Sequence, residues 1–358
     1  MHPPHPFATP PYPIPMQLGI DSFVETTIDP SRANESERVA QLLEEVSLAD
    51  RVGLDVYGIG EHHRPEYIAS SPAVLLAAMA ARTQNIRLTS AVTVLSSDDP
   101  VRVFQDFATL DLISHGRAEI IVGRGSFIES YPLFGYDLND YDDLFAEKLD
   151  LLLKLREETN ITWSGKYPGK YRAALTGQGI YPRPVQQRLP IRLGVGGTPK
   201  SFARAGTLGL PLTVAIIGGE PHRFRALVDL YRAAGAHAGH APETLTVGVH
   251  VLGFVADTTE QAANDLWPAY AATFSRIGKE RGWPPTNRAA FDAQRGELGA
   301  FLIGDPETVA RKLWHISDSL GGVERVSLMM SGGPLPHAKL LHAIDLMGTQ
   351  VKPLIAPR

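Results

Sequence analysis

Short apolar runs alternate along the chain with segments in which apolar residues recur every three or four positions. The runs predict buried parallel strands, which are apolar on both faces, and the spaced segments predict amphipathic helices. Glycine, proline and polar residues separate the two kinds of segment. The predicted strands cover residues 16–23, 54–60, 86–96, 116–125, 189–197, 210–218, 245–256 and 323–330.

A predicted helix follows nearly every strand, and local start and stop residues mark its ends. Pro72 and Pro100 fall at first helical positions, while Gly53 and the pair His115-Gly116 follow last turns. The helices are predicted over residues 31–53, 72–84, 100–114, 141–157, 198–208, 221–239 and 336–347, with two or three more before Leu320.

Strands that alternate with helices indicate parallel pairing through right-handed crossovers. Eight such units predict an α/β fold of one domain over residues 16–358, a TIM (β/α)8 barrel with insertions. The insertions are expected at 158–189, where Gly, Pro and Tyr suggest a hairpin, and at 267–300, and both are candidate lids. An open doubly wound sheet is the alternative, but its glycine fingerprint does not follow the first strand.

Composition narrows the class of protein. The 358 residues carry a net charge of -5 and no block of basic residues, so we expect no nucleic-acid partner. The chain has no cysteine, which excludes disulfides, thiolate metal sites and cysteine nucleophiles.

The first 15 residues include seven prolines. They predict a disordered leader ahead of an internal start at Met16, with a ligand for a proline-recognition domain as the alternative. They have neither the basic nor the apolar region of a secretory signal, and no apolar run is long enough for a membrane span. We therefore expect a cytoplasmic protein without a membrane segment.

Polar residues follow the predicted strands, at the ends that carry the chemistry of a TIM barrel. Glu61-His62-His63 invites a metal interpretation, but neighbouring residues of an extended chain point to opposite sides and no third ligand stands at helical spacing. We expect no metal. The histidine at this strand end is interpreted as a proton donor facing a pocket, or as a group hydrogen-bonded to a nearby loop.

Two further strand ends suit a phosphate. Residues 196–201 join a strand to a helix N-terminus, where free N–H groups and the helix dipole favour an anion. A plain turn capped by Thr198, with Pro199 at the first helical position, is the alternative. Arg124 follows the fourth strand and could bind a phosphate with two hydrogen bonds, or form an ion pair with a loop carboxylate.

Four blocks spread over nearly the whole chain from Met16 onward resemble the bacterial luciferase-like flavin-dependent monooxygenases. They are GIGEHHRPEY (58–67) and the segments 90–126, 194–212 and 328–353. The resemblance implies a TIM barrel that binds reduced FMN, as a co-substrate, at the carboxyl ends of its strands.

Site residues follow from the same resemblance. It implies that His62 is catalytic, that a cis peptide bond between Ala91 and Val92 lies beneath the flavin, and that Arg124 binds the FMN phosphate. It also implies a phosphate-binding loop at Gly197, Thr198 and Ser201. Two positions depart from luciferase: Gly123 replaces its reactive cysteine, and Gly197 replaces a glutamate.

The implied activity is a monooxygenase that uses reduced FMN and O₂ to oxidise a small apolar organic substrate. No dinucleotide fingerprint is visible, so a separate flavin reductase is expected, and the resemblance implies a homodimer. Three alternatives stay open: an F420-dependent oxidoreductase on the same barrel, a flavin-binding protein without catalysis, and a barrel enzyme that acts on a phosphorylated metabolite without flavin.

Overall fold

Strands that alternate with helices make up the chain in the computed structural model, which describes residues 16–27, 34–330 and 333–356. The leader predicted for 1–15 and the predicted start of the first helix at 31–33 lie outside these residues. All eight predicted strands form. The strands are β1 (Gln17–Ser22), β2 (Val56–Ile59), β3 (Arg87–Ser90), β4 (Thr93–Val94), β5 (Ala118–Gly123), β6 (Asn160–Trp163), β7 (Leu175–Gly179), β8 (Ile191–Val195), β9 (Leu212–Ile216), β10 (Val247–Val255), β11 (Leu302–Gly304) and β12 (Arg325–Met329).

The helices begin and end close to the predicted positions. Pro72 and Pro100 are first helical residues, and His115 ends its helix in the left-handed conformation. None of the helices in these described ranges is long and apolar enough to cross a membrane. The helices are α1 (Glu35–Arg51), α2 (Pro72–Ala80), α3 (Pro100–Ser114), α4 (Ser130–Leu133), α5 (Tyr141–Glu157), α6 (Pro199–Thr207), α7 (Arg225–His237), α8 (Thr259–Arg281), α9 (Arg288–Arg295), α10 (Pro306–Leu320), α11 (His337–Leu346) and α12 (Lys352–Ile355).

Eight strands form a closed parallel barrel surrounded by helices, which confirms the predicted TIM barrel. The strand order is β1, β2, β3, β5, β8, β9, β10 and β12, while β4 pairs with β5 and β11 with β10. Neighbouring strands follow one another along the chain, as right-handed crossovers through helices require.

Within the barrel the chain divides into two compact units. The first unit is Ile20–Gly194, and the second holds the described residues up to Gly19 and from Val195 onward. In the first unit the predicted hairpin forms within 158–189, where β6 and β7 pair antiparallel. Trp163 Nε1 donates to Asp150 Oδ2 at 2.9 Å, which ties this hairpin to α5.

In the second unit, α9 lies within the predicted insertion at 267–300, whereas α8 begins before it at Thr259. Phe291 and Phe301 are buried there, and each buried phenyl ring stabilises the fold by roughly 1.5–3 kcal/mol. The buried Lys312 donates from Nζ to the carbonyl of Gly299 at 2.8 Å and to that of Gly296. The three-residue strand β11 was not predicted, because so short an apolar run gives no pattern.

Candidate active site

His62 lies in the loop after β2, in the first unit, and its side chain is enclosed by aromatic rings. Its backbone N–H donates to the carbonyl of Ala69 at 3.0 Å, which fixes the loop. The centroid of the imidazole ring is 4.5 Å from that of Phe23, 4.6 Å from that of Tyr67 and 4.7 Å from that of Phe127. His62 is 8% exposed. The result is a buried protonatable ring with apolar walls.

The three aromatic residues of this cage were missed as site residues. Phe23 is the first residue after β1, Phe127 is the fourth after β5, and Tyr67 ends the block that contains His62. Their positions at strand ends were an available signal. Nothing in the sequence, however, shows that rings so far apart in the chain meet at one histidine.

The neighbouring His63 does not join His62. Its Nε2 is 2.9 Å from Glu61 Oε1, and its ring lies edge-on to Phe134 with a centroid distance of 5.1 Å. This divergence of adjacent side chains was the reason to expect no metal. No group of three or more acidic or histidine side chains within residues 16–27, 34–330 and 333–356 is arranged to hold a metal ion.

The Ala91–Val92 peptide bond is cis, as predicted. Small residues surround it on the adjoining strands. A Cβ atom at Gly123 would stand 2.6 Å from Val92 Cγ2, and one at Gly194 would stand 2.8 Å from Val92 Cγ1. A Cβ at Gly60 would meet the Phe23 ring at 2.1 Å and the Ala91 carbonyl at 3.0 Å. Glycine at these positions therefore lets Ala91 and Val92 lie close to the adjoining strands and to the cage.

Arg124 follows β5 and forms the ion pair that was the alternative interpretation of this residue. Its Nη1 lies 2.6 Å from Asp142 Oδ1, and its guanidinium is 4.9 Å from the centroid of the Tyr141 ring. Two tyrosines hold the loop: Tyr131 donates to the Arg124 carbonyl at 3.2 Å, and Tyr141 donates to that of Gly125 at 3.0 Å. Asp142 is half exposed, so an incoming anion would compete with a solvent-accessible carboxylate.

Asp99, and not the adjacent Asp98, caps α3. Asp99 Oδ1 accepts from the N–H of Val101 at 2.8 Å. Asp98 does not cap the helix. Burial raises the pKa of Asp98 to about 6. The hydrogen bond that Asp98 accepts from the Asp99 N–H opposes this rise.

A buried lysine lies close to Asp98. Lys148 on α5 donates from Nζ to the Ser96 carbonyl at 2.7 Å, and the same atom is 3.7 Å from the centroid of the Tyr136 ring. Burial lowers the pKa of Lys148 to about 8, while the charges of Asp98 and Asp99 oppose this change. Shifted pKa values of this kind near a strand end are typical of functional sites, and structural ion pairs produce them as well.

The predicted phosphate loop lies in the second unit, between β8 and α6. Thr198 occupies the capping position and Pro199 the first helical position, yet the Thr198 side chain makes no capping hydrogen bond. The Thr198 carbonyl accepts from the N–H of Ser201 at 2.9 Å, and Ser201 is buried. A Cβ atom at Gly197 would have no neighbour within 4 Å, so the backbone here is open to a ligand. The turn is therefore not capped by the Thr198 side chain, and phosphate binding stays a prediction.

Comparison with known sequences identifies relatives of this chain. The sequence model of the family described as luciferase-like monooxygenase matches residues 16–322. The uncharacterized protein y4vJ of Sinorhizobium fredii is 30% identical over 87% of this chain and 90% of its own. Limonene 1,2-monooxygenase of Rhodococcus erythropolis is 25% identical over 88% and 81%. With the uncharacterized protein y4wF of S. fredii, at 30% identity, the match covers 51% of this chain and about half of that protein, 52%.

Solved structures share the fold at lower identity. The monooxygenase RslO1 of Streptomyces bottropensis superposes with a TM-score of 0.80 at 21% identity, over 94% of this chain and 99% of that one. The oxygenating constituent of 3,6-diketocamphane monooxygenase of Pseudomonas putida, in complex with FMN, gives 0.75 at 19%, over 96% and 100%. An F420-dependent secondary alcohol dehydrogenase also gives 0.75, at 17%, over 96% and 99%.

Proposed function

The chain belongs to the luciferase-like monooxygenase family, and from that premise we propose that it is a monooxygenase that uses reduced FMN and O₂ to oxidise a small apolar organic substrate. The observation that carries the proposal is the enclosure of His62 by Phe23, Tyr67 and Phe127. An apolar cage around one protonatable ring suits a substrate that has little charge of its own. Two relatives are named for apolar substrates, limonene and an alkanal.

His62 is the catalytic residue of this proposal. When bound, reduced FMN supplies the electrons with which O₂ is activated. An imidazole nitrogen of His62 holds or transfers a proton at the reacting oxygen, and a positioned acid or base of this kind accelerates reactions by about 10²–10⁴-fold. Phe23 and Tyr67 keep water away from the ring, which strengthens its hydrogen bonds.

We propose separate roles in FMN binding for the following residues. Ala91 and Val92, which are both partly exposed, are proposed to lie beneath the flavin ring. Gly197, Thr198 and Ser201 are proposed to bind the phosphate through the N-terminus of α6. Arg124 is proposed to bind the phosphate through its guanidinium. The FMN complex of 3,6-diketocamphane monooxygenase supports a flavin in this fold.

The proposal includes partners. A separate flavin reductase supplies reduced FMN, since the sequence has no dinucleotide fingerprint, and the protein acts in the cytoplasm. A homodimer is also proposed. Helix α2 is apolar on all sides and leaves Val74 69% exposed, which is a surface that a second copy could cover.

An F420-dependent oxidoreductase is the second candidate. The F420-dependent secondary alcohol dehydrogenase superposes with the same TM-score as the FMN-bound monooxygenase, so likeness of fold does not separate the two cofactors. The two candidates differ in chemistry, because F420 enzymes transfer hydride without O₂.

Binding of reduced flavins tests the proposal. We expect reduced FMN to bind more tightly than riboflavin or F420, and O₂ to be consumed faster when an apolar probe such as limonene is added. Preference for F420 with no use of O₂ would establish the second candidate. Tight binding of FMN without any O₂ consumption would indicate a flavin-binding protein without catalysis, and no flavin affinity would contradict the proposal.

The phosphate contact is tested with Arg124→Ala, for which we expect weaker FMN binding and unchanged riboflavin binding. Asp142→Asn is the matched control, because it breaks the same ion pair and keeps the guanidinium. We expect it to bind FMN at least as tightly as the wild type. Equal losses of FMN and riboflavin affinity in Arg124→Ala would argue against a phosphate contact.

A further inference from the structure

Residues 126–138, which we name the cap, follow β5 and pack over the loop that contains His62. Three successive residues of that loop each contact the cap. His62 meets Phe127, and His63 meets Phe134. Arg64 Nη1 lies 2.7 Å from Glu129 Oε1. The cap therefore contacts this loop at three successive residues rather than at one.

Phe127 is the cap residue that reaches His62. The two rings are nearly perpendicular, at 87°, with centroids 4.7 Å apart. The Arg64 guanidinium lies 5.3 Å from the centroid of the Phe127 ring, on the same loop as His62. The cation near the ring and the edge-to-face contact with His62 both restrain the Phe127 ring.

The other two walls of the cage belong to a different part of the unit. Phe23 packs against Gly60, which directly follows β2, and the backbone of Tyr67 pairs with that of Glu25. Phe127 comes from the cap, where Ile128 and Leu133 are 55% and 61% exposed and Tyr131 is buried. A change at Phe127 therefore alters the space at His62 with little effect on Phe23 and Tyr67, the other two walls.

We propose that Phe127 determines which substrates reach His62, by limiting the size of the apolar group that fits beside the imidazole ring. This inference rests on the proposed monooxygenase function and names the wall that selects among apolar substrates. In an apolar pocket, one extra or missing methylene group of a substrate changes the preference by about 10–200-fold, and the pocket wall sets whether that group fits. Phe127 acts on specificity and takes no part in proton transfer.

The test compares Phe127→Ala and Phe127→Leu with the wild type, using n-hexanal as the small probe and limonene as the bulky one. Ile128→Ala is the matched control, since this side chain is exposed and adjacent in the chain. We expect the ratio of kcat/KM for limonene to that for n-hexanal to rise about tenfold or more in Phe127→Ala, to rise less in Phe127→Leu and to stay unchanged in Ile128→Ala.

The possible failures are distinguishable. A wild type that consumes no O₂ with either probe would overturn the proposed function and this inference together. A wild type that turns over, with the same probe ratio in Phe127→Ala and Phe127→Leu, would overturn the role of Phe127 alone. If Phe127→Ala fails to fold, Phe127→Leu decides, because it keeps an apolar side chain in the cap.

Discussion

Glu61 Oε2 accepts a hydrogen bond from the backbone N–H of Val94 at 2.9 Å, while its Oε1 lies 2.9 Å from His63 Nε2. One buried carboxylate thus joins the loop that carries His62 to the backbone two residues beyond the Ala91–Val92 bond. Both elements are proposed to face the flavin. The spacing between the histidine loop and this backbone therefore depends on a side chain that the sequence presented only as a neighbour of two histidines.

Replacement of Glu61 tests this connection. Glu61→Ala leaves the buried Val94 N–H without its acceptor, which we expect to lower the free energy of unfolding by about 1–3 kcal/mol and to weaken flavin binding. Glu61→Gln keeps an amide oxygen as acceptor, so its loss should be smaller. Urea denaturation and flavin titration measure both effects. An Ala variant as stable as the wild type would show that the hydrogen bond contributes nothing.

His62→Ala tests the catalytic role. We expect FMN binding to be retained and kcat to fall by about 10²–10⁴-fold, because the ring is proposed to handle a proton rather than to hold the cofactor. Steady-state O₂ consumption with limonene measures the change. His222→Ala, at an exposed histidine of the second unit, should leave kcat unchanged. Wild-type turnover in His62→Ala would remove the catalytic assignment.

The barrel strands could be predicted because each is a continuous apolar run bounded by turn residues, and because Pro72 and Pro100 mark helix starts. The prediction of the cis bond between Ala91 and Val92 rested on the family resemblance and not on a local sequence pattern. The cage around His62 could not be predicted, since Phe23 and Phe127 lie on different strand ends more than a hundred residues apart. Only the fold places their rings together.

Asp98 shows a different limit. Sequence pattern placed Asp98 and Asp99 together before a helix, where either carboxylate could cap. The structure gives the cap to Asp99 and directs Asp98 toward a partly buried position. Asp98 lies near the buried Lys148 of α5, which comes fifty residues later in the chain. Local sequence contains no information about that packing.

Val92 leaves little room for a side chain at Gly123, the position at which the resemblance implies a cysteine in luciferase. A Cβ at Gly123 would stand 2.6 Å from Val92 Cγ2, so Gly123→Cys must displace the valine, and we expect it to lower the free energy of unfolding by about 1–3 kcal/mol. In a Val92→Ala background the clashing methyl group is gone, so the same substitution should cost less. A double-mutant cycle by urea denaturation measures the difference. Equal costs in the two backgrounds would refute the steric explanation.

The pKa of Asp98 predicts a pH dependence of stability. Burial raises this pKa from its ordinary value of 3.8 to about 6, with the Asp99 N–H opposing and Glu61 adding to the rise. Between pH 3.8 and 6 the folded state therefore binds more protons than the unfolded state, so the free energy of unfolding falls as pH rises through this window. Above this window the full cost of the buried charge remains.

Asp98→Asn cannot ionise and should be more stable than the wild type at pH 7 by about 1–3 kcal/mol. The advantage should shrink as pH falls and disappear near pH 3.8. Urea denaturation at several pH values measures it, with Asp318→Asn, at an exposed carboxylate, as the control. A constant difference between Asp98→Asn and wild type across this range would show that Asp98 ionises alike in the folded and unfolded states.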